Sequence, residues 1–121
     1  MNILVVEDEP LIRLGVVGML EDAGYEALEA SNANDAIRKL QARDDIGLVI
    51  TDIDMPGGMD GVQLAHYVKR QWPPIQLIVV SGKLAPKQSD LPAGTPFFAK
   101  PYQEWRLLNT IKDLAGSDQR D

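Results

Sequence analysis

Apolar residues in this chain fall into short continuous runs, and between the runs they recur at helical spacing. The runs Ile3–Val6, Ile46–Thr51 and Ile75–Val80 do not alternate with polar residues, as expected of strands buried on both faces. Tyr25–Ala30, interrupted by Glu26 and Glu29, and the short Thr95–Ala99 predict two more strands. Between them, Leu11, Ile12, Val16, Met19, Leu20 and Ala23 are spaced for a helix that starts at Pro10 and stops at Gly24. A second helix carries Ala33, Ala36, Ile37 and Leu40 on one face, with Ser31 or Asn32 as its cap. A third runs from about Asp60 to Gln71 with Val62, Ala65 and Val68 inward, and a last one from Gln103 to Ala115 carries Leu107, Leu108, Ile111 and Leu114. Strands alternating with helices of about ten residues predict βαβ units around a parallel sheet.

The stretch "KLAPKQSDLPAG", residues 83–94, stands where a fourth helix would complete that alternation. Pro86, Pro92 and Gly94 argue against a full helix, so the expectation is a turn or two, short or disordered and mobile. One domain over residues 1–116 and a loose tail at 117–121 complete the organisation, with no internal repeat.

Composition narrows the function. The 121 residues carry a formal charge of −6 and no cysteine. No Lys/Arg cluster offers a footprint for phosphate backbones, so direct binding to nucleic acid or anionic membranes is not expected. Disulfides, thiol catalysis and thiolate metal sites are excluded. "MNILVVEDEP" lacks a basic leader region and no apolar stretch is long enough to span a bilayer, which points to a cytoplasmic protein.

In an open parallel sheet, ligands bind at the carboxyl ends of the strands. Reading only those ends gives Glu7 and Asp8, then Asp52, Ser81 and Lys100. The pair Asp52-x-Asp54 is by itself compatible with a phosphoryl-accepting nucleophile, half of a metal site or a polar turn. Three carboxylates in one crevice repel unless a cation sits among them, and oxygen donors suit Mg²⁺. A hard metal, a carboxylate, a hydroxyl and an ammonium together describe phosphoryl transfer to Asp52.

On the residues "VVEDEP", "TDIDMPGGMDG", "VVSG" and "FFAKPY", the chain resembles the receiver domain of bacterial two-component response regulators, of the single-domain, chemotaxis-receiver type, over nearly its whole length. The resemblance implies a flavodoxin-like, doubly wound five-stranded parallel sheet of order 2-1-3-4-5 with helices on both faces. It implies that Asp52 is the phosphoacceptor and that Glu7, Asp8, Asp52 and the main-chain carbonyl of Asp54 hold Mg²⁺. It makes Ser81 the switch hydroxyl, Phe97 the switch aromatic, Lys100 the partner of the phosphorylated carboxylate, and Lys100–Pro101 a cis bond. The implied donor is a sensor histidine kinase or a histidine phosphotransfer protein, and with no output domain after Ala115 the implied output is protein–protein contact in a phosphorelay. The implied protein is a switch that assists its own phosphorylation and dephosphorylation, not an enzyme.

The sequence departs from the family in several places: Glu rather than Asp at 7, Ser rather than Thr at 81, one extra glycine after Pro56, and the weak fourth helix. Asp54 adds a negative side chain at a position that tunes water access in the family. A rival reading is a haloacid-dehalogenase-type phosphatase using Asp52 and Asp54 as nucleophile and general acid/base. Chain order opposes it, because in that family Asp-x-Asp follows the first core strand, and the chain is short for that fold. His66 reads as a helix-surface residue, Trp72 as packing, Asp60 as a helix cap, and Trp105 as packing or part of a partner face.

Overall fold

The structure is a computed structural model that describes residues 1–83 and 86–119. Five strands form one parallel sheet in the order β2-β1-β3-β4-β5: β1 Asn2–Val6, β2 Glu26–Ala30, β3 Ile46–Asp52, β4 Gln76–Ser81 and β5 Phe97–Ala99. Four α-helices accompany them: α1 Pro10–Asp22, α2 Ala33–Ala42, α3 Gly61–Gln71 and α4 Glu104–Gln119. This is the doubly wound order 2-1-3-4-5 with helices on both faces that the motifs implied.

Alternate residues of each strand serve two separate cores. Ile3, Val5, Leu48, Ile50, Ile78 and Val80 pack with Val17 and Leu20 of α1 and Leu107 and Ile111 of α4. Leu4, Val6, Val49, Leu77 and Val79 pack on the other face with Ala36 and Leu40 of α2 and Leu64 and Val68 of α3. The division follows from the right-handed crossover rule: α1 leads from β1 toward one edge, α2 and α3 lead the opposite way, and so they cover opposite faces. Burial on both faces explains why the central strands are continuously apolar. Edge strand β2 tolerates Glu26, which is exposed, and Glu29.

Side-chain caps fix two helix starts. Asn32 accepts the Asp35 N–H at 2.8 Å. Asp60 accepts the Gln63 N–H while Gln63 accepts the Asp60 N–H, each at 2.9 Å, a reciprocal pair of bonds that sets where α3 begins.

The segment between β4 and β5 agrees with expectation, whereas α4 departs from it. Between β4 and β5 the helix is reduced to a single 3-10 turn, Gln88–Asp90, in keeping with the two prolines. Leu84 and Ala85 of that segment lie outside the described residues. Helix α4 runs through Gln119, past the expected start of the tail; one glycine at 116 costs a helix only about 1 kcal/mol. Arg120 and Asp121 lie outside the described residues. In α1 the apolar residues at helical spacing are not all covered: Leu11 is 85% exposed and Ile12 is also exposed, while the buried residues are Val17, Met19 and Leu20. The first turn of α1 stands beside the strand-end site, where Ile12 lines a cleft with Glu7 and Asp52.

Candidate functional site

Strand register brings the acids together. Val6 of β1 pairs with Thr51 of β3, so Glu7 and Asp52 are the next positions along neighbouring strands, which run about 4.8 Å apart. This is also where strand order reverses, with β2 to one side of β1 and β3 to the other. Carboxylate oxygens of Glu7, Asp8 and Asp52 lie within 4.8 Å of one another. Glu7 and Asp52 are buried.

Lys100 completes the cluster from β5. Its Nζ donates to Glu7 Oε1 at 2.8 Å and lies 3.4 Å from Asp52 Oδ2. Its backbone N–H donates to the Ser81 carbonyl at 2.8 Å, which extends the β4–β5 ladder into the site, and the Lys100–Pro101 bond is cis as expected. Burial pushes the carboxyls of Glu7 and Asp52 above their ordinary values, against the opposing pull of Lys100. Burial also pulls the Lys100 ammonium down, but its bond to Glu7 and the charges of Asp52 and Glu7 outweigh this and hold it above its usual value.

The charge is unbalanced, since one ammonium faces three carboxylates. Asp52 Oδ1 is buried and has no hydrogen-bond partner; it is the one such side-chain atom among the described residues. A buried acceptor without a donor is costly unless something electropositive binds it. The convergent oxygens, the excess negative charge and this orphaned atom fit a hard cation such as Mg²⁺.

Ser81 is buried at the end of β4 and turned toward the loop after β3: its Oγ–H donates to Asp54 Oδ2 at 3.0 Å, and its Oγ accepts the Lys83 N–H at 3.2 Å. Phe97 is half-buried and packs against the core on the α2/α3 face, in register with Val79. The structure thus gathers Glu7, Asp8, Asp52 and Lys100, joins Ser81 to Asp54, and keeps Phe97 out of the polar cluster. His66 Nε2 donates to the Asp90 carbonyl at 2.7 Å, which ties α3 to the 3-10 turn and leaves it no place in the site. Trp72 packs on the α2/α3 core, and Trp105 is 57% exposed.

Two residues escaped the sequence reading. Arg13 of α1 donates from Nη1 to the Glu7 carbonyl at 2.8 Å and pairs through Nε with Glu29 Oε1 at 2.8 Å, pinning the backbone that carries the acidic pair. Its place one turn into the helix after the acids was the available signal. Gly61 approaches the site backbone closely, because a Cβ there would lie 2.0 Å from the Asp52 carbonyl oxygen. Its N–H donates to the Ile53 carbonyl at 2.9 Å, fastening the start of α3 to the chain that leaves Asp52.

The family model for the response regulator receiver domain matches residues 3–112. The response regulator receiver protein CpdR of Brucella abortus is 32% identical over 116 residues, covering 93% of this chain and 95% of that protein. The nitrogen assimilation regulatory protein NtrX of Azorhizobium caulinodans is 34% identical over 111 residues, 88% of this chain but 24% of that protein. The chain likewise spans 12% of the sensor kinase CckA of Brucella abortus, so it covers a quarter or less of several of its curated relatives. Among solved structures, chemotaxis protein CheY4 of Vibrio cholerae superimposes with a TM-score of 0.82 at 28% identity, over 93% of this chain and 97% of that one. The response regulator TrrA of Thermotoga maritima, solved in complex with Mg²⁺ and BeF, gives 0.81 at 27% identity over 93% and 97%. With that extent of match, and with the acids, hydroxyl and amine at the expected strand ends, the chain belongs to the response regulator receiver domain family.

Proposed function

We propose that residues 1–116 act as a Mg²⁺-dependent phosphoacceptor switch in which the Asp52 carboxylate takes a phosphoryl group from a phosphohistidine. The observation that carries this reading is Asp52 itself: buried, with one oxygen unpartnered and the other within reach of Lys100. A carboxylate oxygen of Asp52 attacks phosphorus, the P–N bond to the donor imidazole breaks, and the acyl phosphate remains on the chain. Glu7, Asp8, Asp52 and the Asp54 main-chain carbonyl are the groups that would hold Mg²⁺. Bound there, the cation supplies charge neutralisation for the phosphoryl oxygens. Lys100, now bonded to Glu7, would exchange that bond for one with a phosphoryl oxygen, a charge-assisted contact. Ser81 supplies a hydroxyl donor, and Phe97, beside β4 and half-buried, is the aromatic that would respond when the end of β4 shifts.

A sensor histidine kinase or histidine phosphotransfer protein is the proposed donor. In support, the first half of α1 presents Leu11 and Leu14 to the surface at 85% and 55% exposure, close to the cleft that opens on Asp52. Output passes through contacts with another protein, and the chain turns over no external metabolite. No helix among the described residues is long and apolar enough to cross a membrane; the proposed place of action is the cytoplasm. The phosphatase alternative needs Asp54 as a proton carrier, and its carboxylate instead accepts the Ser81 hydroxyl. The deciding experiment is labelling by a small acyl phosphate with Mg²⁺: wild type takes label at Asp52, and a fully labelled Asp52→Asn variant would overturn the assignment.

A further inference from the structure

Ser81 has one hydroxyl proton, and in this structure it goes to Asp54 Oδ2 at 3.0 Å. Ser81 Oγ in turn accepts the Lys83 N–H at 3.2 Å, so donor and acceptor functions of the hydroxyl are both engaged. The side chain is 1% exposed, which leaves no bulk water to take over either bond if it breaks. An ionised carboxylate only accepts hydrogen bonds, and a phosphoryl group on Asp52 would also present only acceptor oxygens to a hydroxyl. One O–H proton cannot serve both acceptors fully at once. The bond to an ionised acceptor is the stronger sort, so the exchange carries a real cost.

We propose that the Asp54 carboxylate competes with the phosphoryl group for the Ser81 hydroxyl, making Asp54 a positioning residue that holds the hydroxyl in the unphosphorylated arrangement. The inference rests on the reading of Asp52 as phosphoacceptor and deepens it. In the exchange no covalent bond changes: the proton stays on Oγ, the hydrogen bond to Asp54 Oδ2 breaks, and one to a phosphoryl oxygen forms. Asp54 then works against phosphorylation through Ser81, and not simply as one more negative charge near an anion. The two effects are separable, because repulsion persists when the hydroxyl is removed and competition does not.

Beryllofluoride with Mg²⁺ serves as the probe of the phosphorylated arrangement, with affinity measured for wild type, Asp54→Ala, Ser81→Ala and the double variant. Each variant keeps the main-chain carbonyl at position 54. Asp54→Ala is expected to bind beryllofluoride about tenfold more tightly than wild type, the size set by one hydrogen bond to a charged group. In the Ser81→Ala background the same substitution is expected to change affinity less than twofold, so the cycle shows coupling between the two side chains. Asp54→Asn, similar in shape with a neutral acceptor, shifts affinity in the same direction by less and guards against a loop disturbed by alanine; melting curves confirm that each variant is folded. Equal tightening with and without the Ser81 hydroxyl would overturn the proposal in favour of plain repulsion, and so would no tightening at all. If wild type binds no beryllofluoride and takes no label at Asp52, the phosphoacceptor reading itself falls, and the proposal with it.

Discussion

The ammonium of Lys100 is closer to Glu7, at 2.8 Å, than to Asp52, at 3.4 Å. Glutamate at position 7 is long enough to take that donor on Oε1 while Oε2 accepts the Glu9 N–H at 3.2 Å. One positive charge is therefore shared between two buried acids. Lys100→Met should destabilise the metal-free chain by about 1–3 kcal/mol at neutral pH, less than for a fully buried pair because the ammonium is partly exposed. Urea unfolding checks this, and the loss should shrink in acid, where Glu7 and Asp52 are protonated.

Stability should depend on pH in a direction opposite to that of an ordinary paired carboxylate. Burial raises Glu7 and Asp52 in the folded chain, so the folded state keeps protons that the unfolded state has released. The contribution of these two groups is then largest in acid and shrinks as pH rises from the ordinary carboxylate range, about 4, through the raised folded values. Lys100, also raised, contributes stability that is lost only as pH climbs through its folded value above its usual range, so it does not cancel this slope. At the far end of the sheet, Asp45 is lowered to about 2 by its hydrogen bond from Arg43; its contribution has the opposite sign and is lost as pH falls through that value. Melting temperature against pH in chelator tests the slope. Mg²⁺ at ten times its dissociation constant should add about 1.4 kcal/mol and flatten the fall toward neutral pH.

Arg13→Met should weaken Mg²⁺ binding about tenfold, as loss of a second-layer partner commonly does. The Glu7 carbonyl loses its guanidinium donor and Glu29 loses its ion partner. Calorimetric titration with Mg²⁺ measures the effect. An affinity unchanged from wild type would show that the loop holds its shape without Arg13.

Gly61→Ala should cost about 1–3 kcal/mol, the range for forcing atoms into a filled space. The added carbon would meet the Asp52 carbonyl oxygen at 2.0 Å and Ile53 Cα at 2.7 Å, both backbone and unable to rotate aside. Because that backbone carries Asp52, acyl phosphate labelling should fall together with the urea midpoint.

Much of this site can be read from the sequence because each site strand ends abruptly. An apolar run that stops at Glu7, Asp52 or Lys100 marks a strand end, and parallel strands collect their ends on one side of the sheet. What the sequence hid depends on rotation and reach. Spacing places Leu11 and Val17 on the same helix, but only the packing of α1 shows that its first turn stands clear of the sheet. Arg13 looks like any surface cation until the helix turns it back toward Glu7. The Ser81–Asp54 bond joins residues 27 apart, a strand end and a loop, for which no periodic signal exists. The shortened fourth helix was visible because proline limits the backbone directly.

The alternation of strand residues between two interior layers reaches into the site. Asp52 continues the series of Leu48 and Ile50, which belongs to α1 and α4, while Ser81 continues that of Leu77 and Val79, which belongs to α2 and α3. A volume change in one layer is thus insulated from the other by the sheet as long as Ser81 keeps to its own side. If, as proposed, a phosphorylated Asp52 draws that alcohol across, the two halves share a bond, and packing defects placed on opposite sides should stop being additive.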